Sequence, residues 1–124
     1  MNRLPRILVV DDEPDITDTY KLLFELHGFE AVTAGNGAEA LALVARMPPD
    51  LVLTDCRMPT MDGLELARRL RAIPSLALVP VVLMSGAPEM HDLSIGSHVL
   101  FLQKPLLFER ILHEVRRLLG MPSE

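Results

Sequence analysis

The 124-residue sequence predicts an α/β domain built on a doubly wound, five-stranded parallel sheet. Three observations predict it. Five short apolar runs alternate along the chain with stretches that can be helical. The runs are continuous rather than alternating, as expected of strands buried on both faces. And the residues beyond them are the chain's most reactive: Asp11-Asp12, Asp55, Ser85 and Lys104.

Ile7-Leu8-Val9-Val10 is the first strand and runs into carboxylates. Pro14 suits the first turn of a helix, with Asp12, Glu13 and Asp15 at its positive end. Ile16, Tyr20, Leu23 and Phe24 give that helix one apolar face, and Gly28 ends it. Phe29 to Ala34 is the second strand. Asn36 with Glu39 is a capping-box variant, opening a helix whose stripe is Leu41, Val44 and Ala45. Pro48-Pro49 ends it. Leu51-Val52-Leu53 is the third strand and delivers Asp55. Leu66, Ala67, Leu70 and Ile73 mark a third helix, with Pro74 just beyond. Val79 to Met84 is the fourth strand. The stretch from Pro88 to Ile95 has room for only about two helical turns before Gly96. Val99 to Leu102 is the fifth strand. In the last helix Phe108, Ile111, Leu112, Val115, Leu118 and Leu119 share one stripe, and Gly120 caps it.

The length suits one domain over residues 1–124, with short tails at 1–5 and 120–124. A chain of this size buries roughly two-thirds of its unfolded surface, enough for one core. The formal net charge of -5 argues against a nucleic-acid backbone as the main partner. One cysteine excludes an intrachain disulfide and fits a reducing compartment. The apolar run near the N-terminus breaks at Asp11, too early for a signal peptide, and no stretch reaches membrane-spanning length. A cytoplasmic protein without direct nucleic-acid or membrane contact is expected.

In such sheets ligands bind beyond the carboxyl ends of the strands, at the switch point of the strand order. Asp11, Asp12, Asp55, Ser85 and Lys104 therefore converge on one edge. Three adjoining carboxylates repel one another, and a hard divalent cation removes the conflict. Oxygen ligands with few carboxylates suit Mg²⁺, which keeps open positions for water and a phosphoryl oxygen. Lys104 adds a movable positive charge and Ser85 a hydroxyl. Together they can stabilise a phosphoryl group in transit, with an Asp as nucleophile.

At this point the chain resembles the response-regulator receiver family of two-component signalling, over essentially its whole length. The matching residues are Asp11-Asp12, Asp55 within Thr54-Asp55-Cys56-Arg57-Met58-Pro59, and Met61-Asp62-Gly63. Further matches are Ser85-Gly86 and Lys104-Pro105. The resemblance implies a flavodoxin-like fold with strand order 2-1-3-4-5. It implies that Asp55 accepts a phosphoryl group, that Asp12 and Asp55 ligate Mg²⁺, and that Asp11 does so through water. It implies a further ligand in the Arg57 backbone carbonyl, a phosphoryl contact from Lys104, and a cis bond from Lys104 to Pro105. Ser85 would close on the phosphoryl group while Phe101, at the aromatic switch position, swings inward. The implied donor is a sensor histidine kinase or a phosphotransfer protein, often replaceable by a small acyl phosphate. The chain would be no enzyme beyond its own phosphorylation and dephosphorylation.

The sequence departs from the family in two places. Ser85 to Lys104 spans 19 positions, about three fewer than usual, close to one helical turn. His98-Val99-Leu100-Phe101-Leu102 also lacks the common acidic pair before the aromatic position. A shortened fourth helix over 88–95 and an altered output surface are expected, for another protein or for a homodimer. The chain contains no effector domain, which fits a stand-alone receiver or a piece of a longer protein.

Plainer readings stand beside these. Asp11, Asp12 and Glu13 can be helix N-terminal acids, and Phe101 a core aromatic. Cys56 reads as a buried structural thiol, since no cationic neighbour is assured. The four histidines show no metal-ligand spacing. The arginines of the last helix suit a solvated face, and the methionines fill core gaps. The main competing function is a degenerate receiver, an interaction module without phosphotransfer. The acidic loop after the first strand would repel a flavin phosphate, and the chain has no length for the cap of an Asp-nucleophile phosphatase.

Overall fold

The computed structural model describes residues 3–86 and 98–122. In chain order the elements are β1 (Arg6–Val10), α1 (Pro14–Leu26), β2 (Glu30–Ala34), α2 (Gly37–Arg46) and β3 (Leu51–Asp55). There follow α3 (Gly63–Arg71), a 3₁₀ turn (Pro74–Leu76), β4 (Val81–Ser85), β5 (Val99–Gln103) and α4 (Phe108–Leu118). The strands form one parallel sheet in the order β2-β1-β3-β4-β5. This is the flavodoxin-like order, and β1 and β3 flank its switch point. The shortened helix expected over 88–95 lies outside the described residues.

Alternation along each strand divides the core in two. Leu8, Val10, Val52, Val81 and Leu83 face α2 and α3, where Ala40, Val44, Leu66, Ala67 and Leu70 meet them. Ile7, Val9, Leu51, Leu53, Val82 and Met84 face α1 and α4, against Phe24, Ile111, Leu112 and Val115. Every residue of β3 and β4 is buried, as the continuous apolar runs require. Phe24 anchors the second layer, with edge-on contacts to Phe29 at 5.6 Å and to Phe108 at 5.0 Å.

The helix ends follow local chemistry. Asn36 accepts from the Glu39 amide at 2.8 Å, while Glu39 reaches back to the Gly35 amide at 2.7 Å. That is a capping box displaced by one residue. Asp62 caps α3 in the same way, accepting from the Glu65 amide at 2.8 Å. Gly28 takes φ +91° after α1, and the Phe29 amide bonds back to Phe24, so β2 starts at Glu30. Strand β4 likewise starts two residues later than its apolar run. The Val79 amide bonds to the Leu76 carbonyl, closing the 3₁₀ turn, and Pro80 has no N–H for the ladder. On α1, Thr17 is buried and Ile16 is exposed, a rotation of the face expected from the apolar residues alone.

Two contacts fasten α3. Its C-terminal Arg71 donates to the Leu76 carbonyl at 3.1 Å and the His98 carbonyl at 2.8 Å. Its first residue, Gly63, lies against the end of β3. A Cβ there would collide with the Asp55 carbonyl oxygen and stand 2.9 Å from Leu83 Cδ2 and 3.0 Å from the Cys56 Cα. Gly63→Ala is therefore expected to destabilise the domain by about 1–3 kcal/mol. A urea titration checks this, with an unchanged midpoint as the contrary result.

Candidate functional site

The site is built from the last residues of four strands. Beyond β1, the Asp11 amide bonds to Ala34 of β2 at 3.2 Å, and its carboxylate accepts from the Glu13 amide at 3.0 Å. That turn leads into Pro14 and buries Asp11 to 3% exposure, while Asp12 stays exposed. Asp55 closes β3 at 8% exposure, and the next amide, of Cys56, bonds to Met84 of β4 at 2.9 Å. Ser85 closes β4 at 3% exposure, and its carbonyl accepts from the Lys104 amide at 2.8 Å. The Lys104–Pro105 bond is cis.

Asp11, Asp12 and Asp55 each bring a carboxylate oxygen to within 4.8 Å of the others. The Lys104 ammonium stands 2.8 Å from Asp55 Oδ1. These charges respond to one another. Burial pushes the Asp11 carboxyl above its ordinary range. The Asp55 charge adds to that, against the Glu13 hydrogen bond and the Lys104 charge. Desolvation lowers the Lys104 amine, but the hydrogen bond to Asp55 and the charges of Asp55 and Asp11 raise it further, so it ends above the usual lysine value.

Cys56 and Ser85 each follow one of the register partners Asp55 and Met84, and both are buried. Burial and then the Asp55 charge push the Cys56 thiol up to about 11, with Ser85 acting against them. Phe101 is half-buried and packs with Val99 on the α3 side of the sheet. Arg57 is exposed in the loop after β3, where Cys56, Met58, Pro59 and Asp62 line a shallow cleft with it. A second cleft, of about 470 Å³, opens beside Lys104. Its wall includes Asp11, Glu13, Ile16 and Tyr20.

Two features escaped sequence reasoning. Tyr20 reads as a core position of α1, yet its hydroxyl reaches into this cleft, 3.8 Å from Met84 Sδ. The signal available was its identity, since a phenol in an apolar stripe seeks a polar outlet. The Asp62 cap was also open to view, as Asp62-Gly63-Leu64-Glu65 carries the acid three residues before its Glu.

The model of the response regulator receiver domain matches residues 7–116. The chain belongs to this family. Among curated relatives of this receiver domain is the DNA-binding dual master transcriptional regulator RpaA of Synechocystis. It is 33% identical over 119 residues, covering 94% of this chain and 49% of that protein. The chain thus spans about half the length of that relative. Among solved structures, the receiver domain of a signal transduction histidine kinase from Syntrophus aciditrophicus superposes with a TM-score of 0.84 at 32% identity. The match covers 94% of this chain and 90% of that one. The response regulator TrrA of Thermotoga maritima, solved in complex with Mg²⁺-BeF, gives 0.79 at 30% identity, covering 93% and 99%. Among the described residues of this receiver domain no helix is long and apolar enough to cross a membrane.

Two outcomes follow from the site's electrostatics. Asp11→Asn keeps the acceptor for the Glu13 amide but removes a buried charge. In a chelator it should raise the melting temperature by a few degrees, as a gain on the order of 1 kcal/mol would. A lower melting temperature would show that the Asp11 charge is not a cost to the fold. The Cys56 thiol should resist iodoacetamide at pH 8 in the native protein and react fully in denaturant, which mass spectrometry reads. Rapid native alkylation would contradict both its burial and its raised pKa.

Proposed function

We propose that this receiver domain is a phosphorylation switch whose acceptor is Asp55. The observation that carries the reading is the Lys104 ammonium on Asp55 beside the clustered carboxylates of Asp11 and Asp12. In the proposed step a carboxylate oxygen of Asp55 attacks the phosphorus of a phosphohistidine, or of a small acyl phosphate. The O–P bond forms as the bond to the leaving group breaks. The donor leaves with that electron pair, and Asp55 becomes an acyl phosphate. Lys104 passes from the Asp55 oxygen to a phosphoryl oxygen and stays charged throughout, consistent with its raised pKa.

The carboxylates fit Mg²⁺: they are hard oxygen donors gathered from two strand ends, and Asp12 is open to solvent. Asp12, Asp55, the Arg57 carbonyl and, through water, Asp11 are the residues assigned to hold it. When bound, the ion neutralises charge on the acceptor and the phosphoryl oxygens. The Mg²⁺-BeF complex of TrrA supports this assignment.

The switch needs two states that the phosphoryl group tells apart. Moving an equilibrium from about 1:99 to 99:1 takes roughly 5.5 kcal/mol. Charge-assisted hydrogen bonds at ~1.5–3 kcal/mol each, from Lys104 and Ser85, reach that range. In this reading Ser85 turns toward the phosphoryl group and Phe101 turns inward behind it. A sensor histidine kinase or phosphotransfer protein supplies the phosphoryl group in the cytoplasm, and another protein or a second copy reads the new surface.

The test is mass spectrometry after incubation with acetyl phosphate and Mg²⁺. The wild-type chain should gain one phosphoryl group and Asp55→Asn none. A gain in both would move the acceptor elsewhere. A gain in neither, with any donor, would favour a receiver used only as an interaction module.

A further inference from the structure

Two loops meet Asp12 around one cleft. Gly35 and Asn36 lead from β2 into α2, and Pro59 to Met61 lie between β3 and α3; with Asp12 they wall a space of about 350 Å³. One side chain bridges the loops. Gly37 is buried, and a Cβ there would stand 2.5 Å from Met61 Sδ, 3.0 Å from its Cγ and 3.1 Å from its Cβ. Met61 thus fills the space that a side chain on Gly37 would need.

The two partners are held differently. The Gly37 side is fixed by the helix cap, where Asn36 accepts from the Glu39 amide and Glu39 holds the Gly35 amide at 2.7 Å. The Met61 side is strained. Thr60 takes φ +71°, and the Met61 amide donates to the Pro59 carbonyl at 2.8 Å, which makes a three-residue turn. A β-branched residue seldom adopts that backbone, so neighbouring contacts must hold it there. Met58 anchors the loop before the turn, buried in the core at 8% exposure. Met61 anchors it after the turn, against Gly37.

Mg²⁺ demands a near-ideal octahedron with ligands at about 2.0–2.1 Å, whereas Ca²⁺ accepts about six to eight ligands at roughly 2.3–2.6 Å. Asp12 and the Arg57 carbonyl come from different segments, so their separation depends on how the β3–α3 loop is seated. We infer that the Gly37–Met61 contact sets that seating, and that Met61 is a positioning residue for Mg²⁺ with Gly37 as its seat. This rests on the reading that Asp12, Asp55 and the Arg57 carbonyl hold the ion. Forcing the loop outward spoils an octahedral site first and leaves a larger, more tolerant cation better served.

The experiment titrates the full chain with Mg²⁺ and, separately, with Ca²⁺, followed by NMR, for wild type, Gly37→Ala, Met61→Ala and the double variant. Gly37→Ala should weaken Mg²⁺ binding roughly 10-fold, as losses behind a metal ligand do, and Ca²⁺ binding by less. In the Met61→Ala background the space is open, so Gly37→Ala should have no further effect. Three results overturn the inference: Mg²⁺ affinity unchanged in both single variants, Mg²⁺ and Ca²⁺ affinities lowered in equal proportion, or an effect of Gly37→Ala that is the same with and without the Met61 side chain. Should Gly37→Ala not fold, Met61→Ala decides by itself, since it too should weaken Mg²⁺ more than Ca²⁺. A wild-type chain that binds no Mg²⁺, or that binds it equally well after Asp12→Asn, sinks the metal reading itself. Asp12-dependent Mg²⁺ binding that ignores Met61 sinks only the inference.

Discussion

Three carboxylates are held together against their own repulsion, and the sheet is what holds them. The backbone next to each charged group is tied to the neighbouring strand: Asp11 to Ala34, Cys56 to Met84, and Lys104 to Ser85. The site is thus the last rung of the parallel ladder, continued one residue past the strands. Two apolar layers beneath it supply the cohesion, and the upper edge concentrates the cost. Asp11 illustrates the balance, since its buried carboxyl is raised above its ordinary range while a single amide and the Lys104 charge resist the shift. Lys104 draws its strength from the same crowding, because Asp55 and Asp11, which repel each other, both attract it.

Most of this was legible in the sequence, because the signals that mark a doubly wound sheet are local and repeated. Continuous apolar runs identified β1 and β3–β5, and Asn36 with Glu39 identified the start of α2. The strand order came from the family resemblance, and the parallel sheet placed the acids together. What the sequence hid depends on geometry between elements. The delayed start of β4 comes from a hydrogen bond that Val79 makes backwards, which no apolar pattern reveals. Which face of α1 is buried depends on its rotation against the sheet, so Thr17 goes in and Ile16 stays out. Tyr20 makes its contact with Met84 between a helix and a strand, and only their packing discloses it.

The neighbourhood of Cys56 shows how a local environment can close off a chemistry. A thiol in a cluster of charged residues invites a redox role, but burial and the adjacent Asp55 charge suppress the thiolate. The cleft beside Lys104 makes the opposite case. There the exposed Lys104 and the half-buried Tyr20 line an open cleft above the buried Asp11.

Helix α3 joins these regions mechanically. At one end Gly63 rests on the carbonyl of Asp55, and at the other Arg71 grips the carbonyl of His98, where the chain enters β5. Nine residues of helix make a strut about 14 Å long. A strut seated on both supports cannot tilt at one without being felt at the other. A small backbone adjustment at Asp55 would therefore be delivered, as a lever delivers it, to the root of β5 at one edge of the sheet.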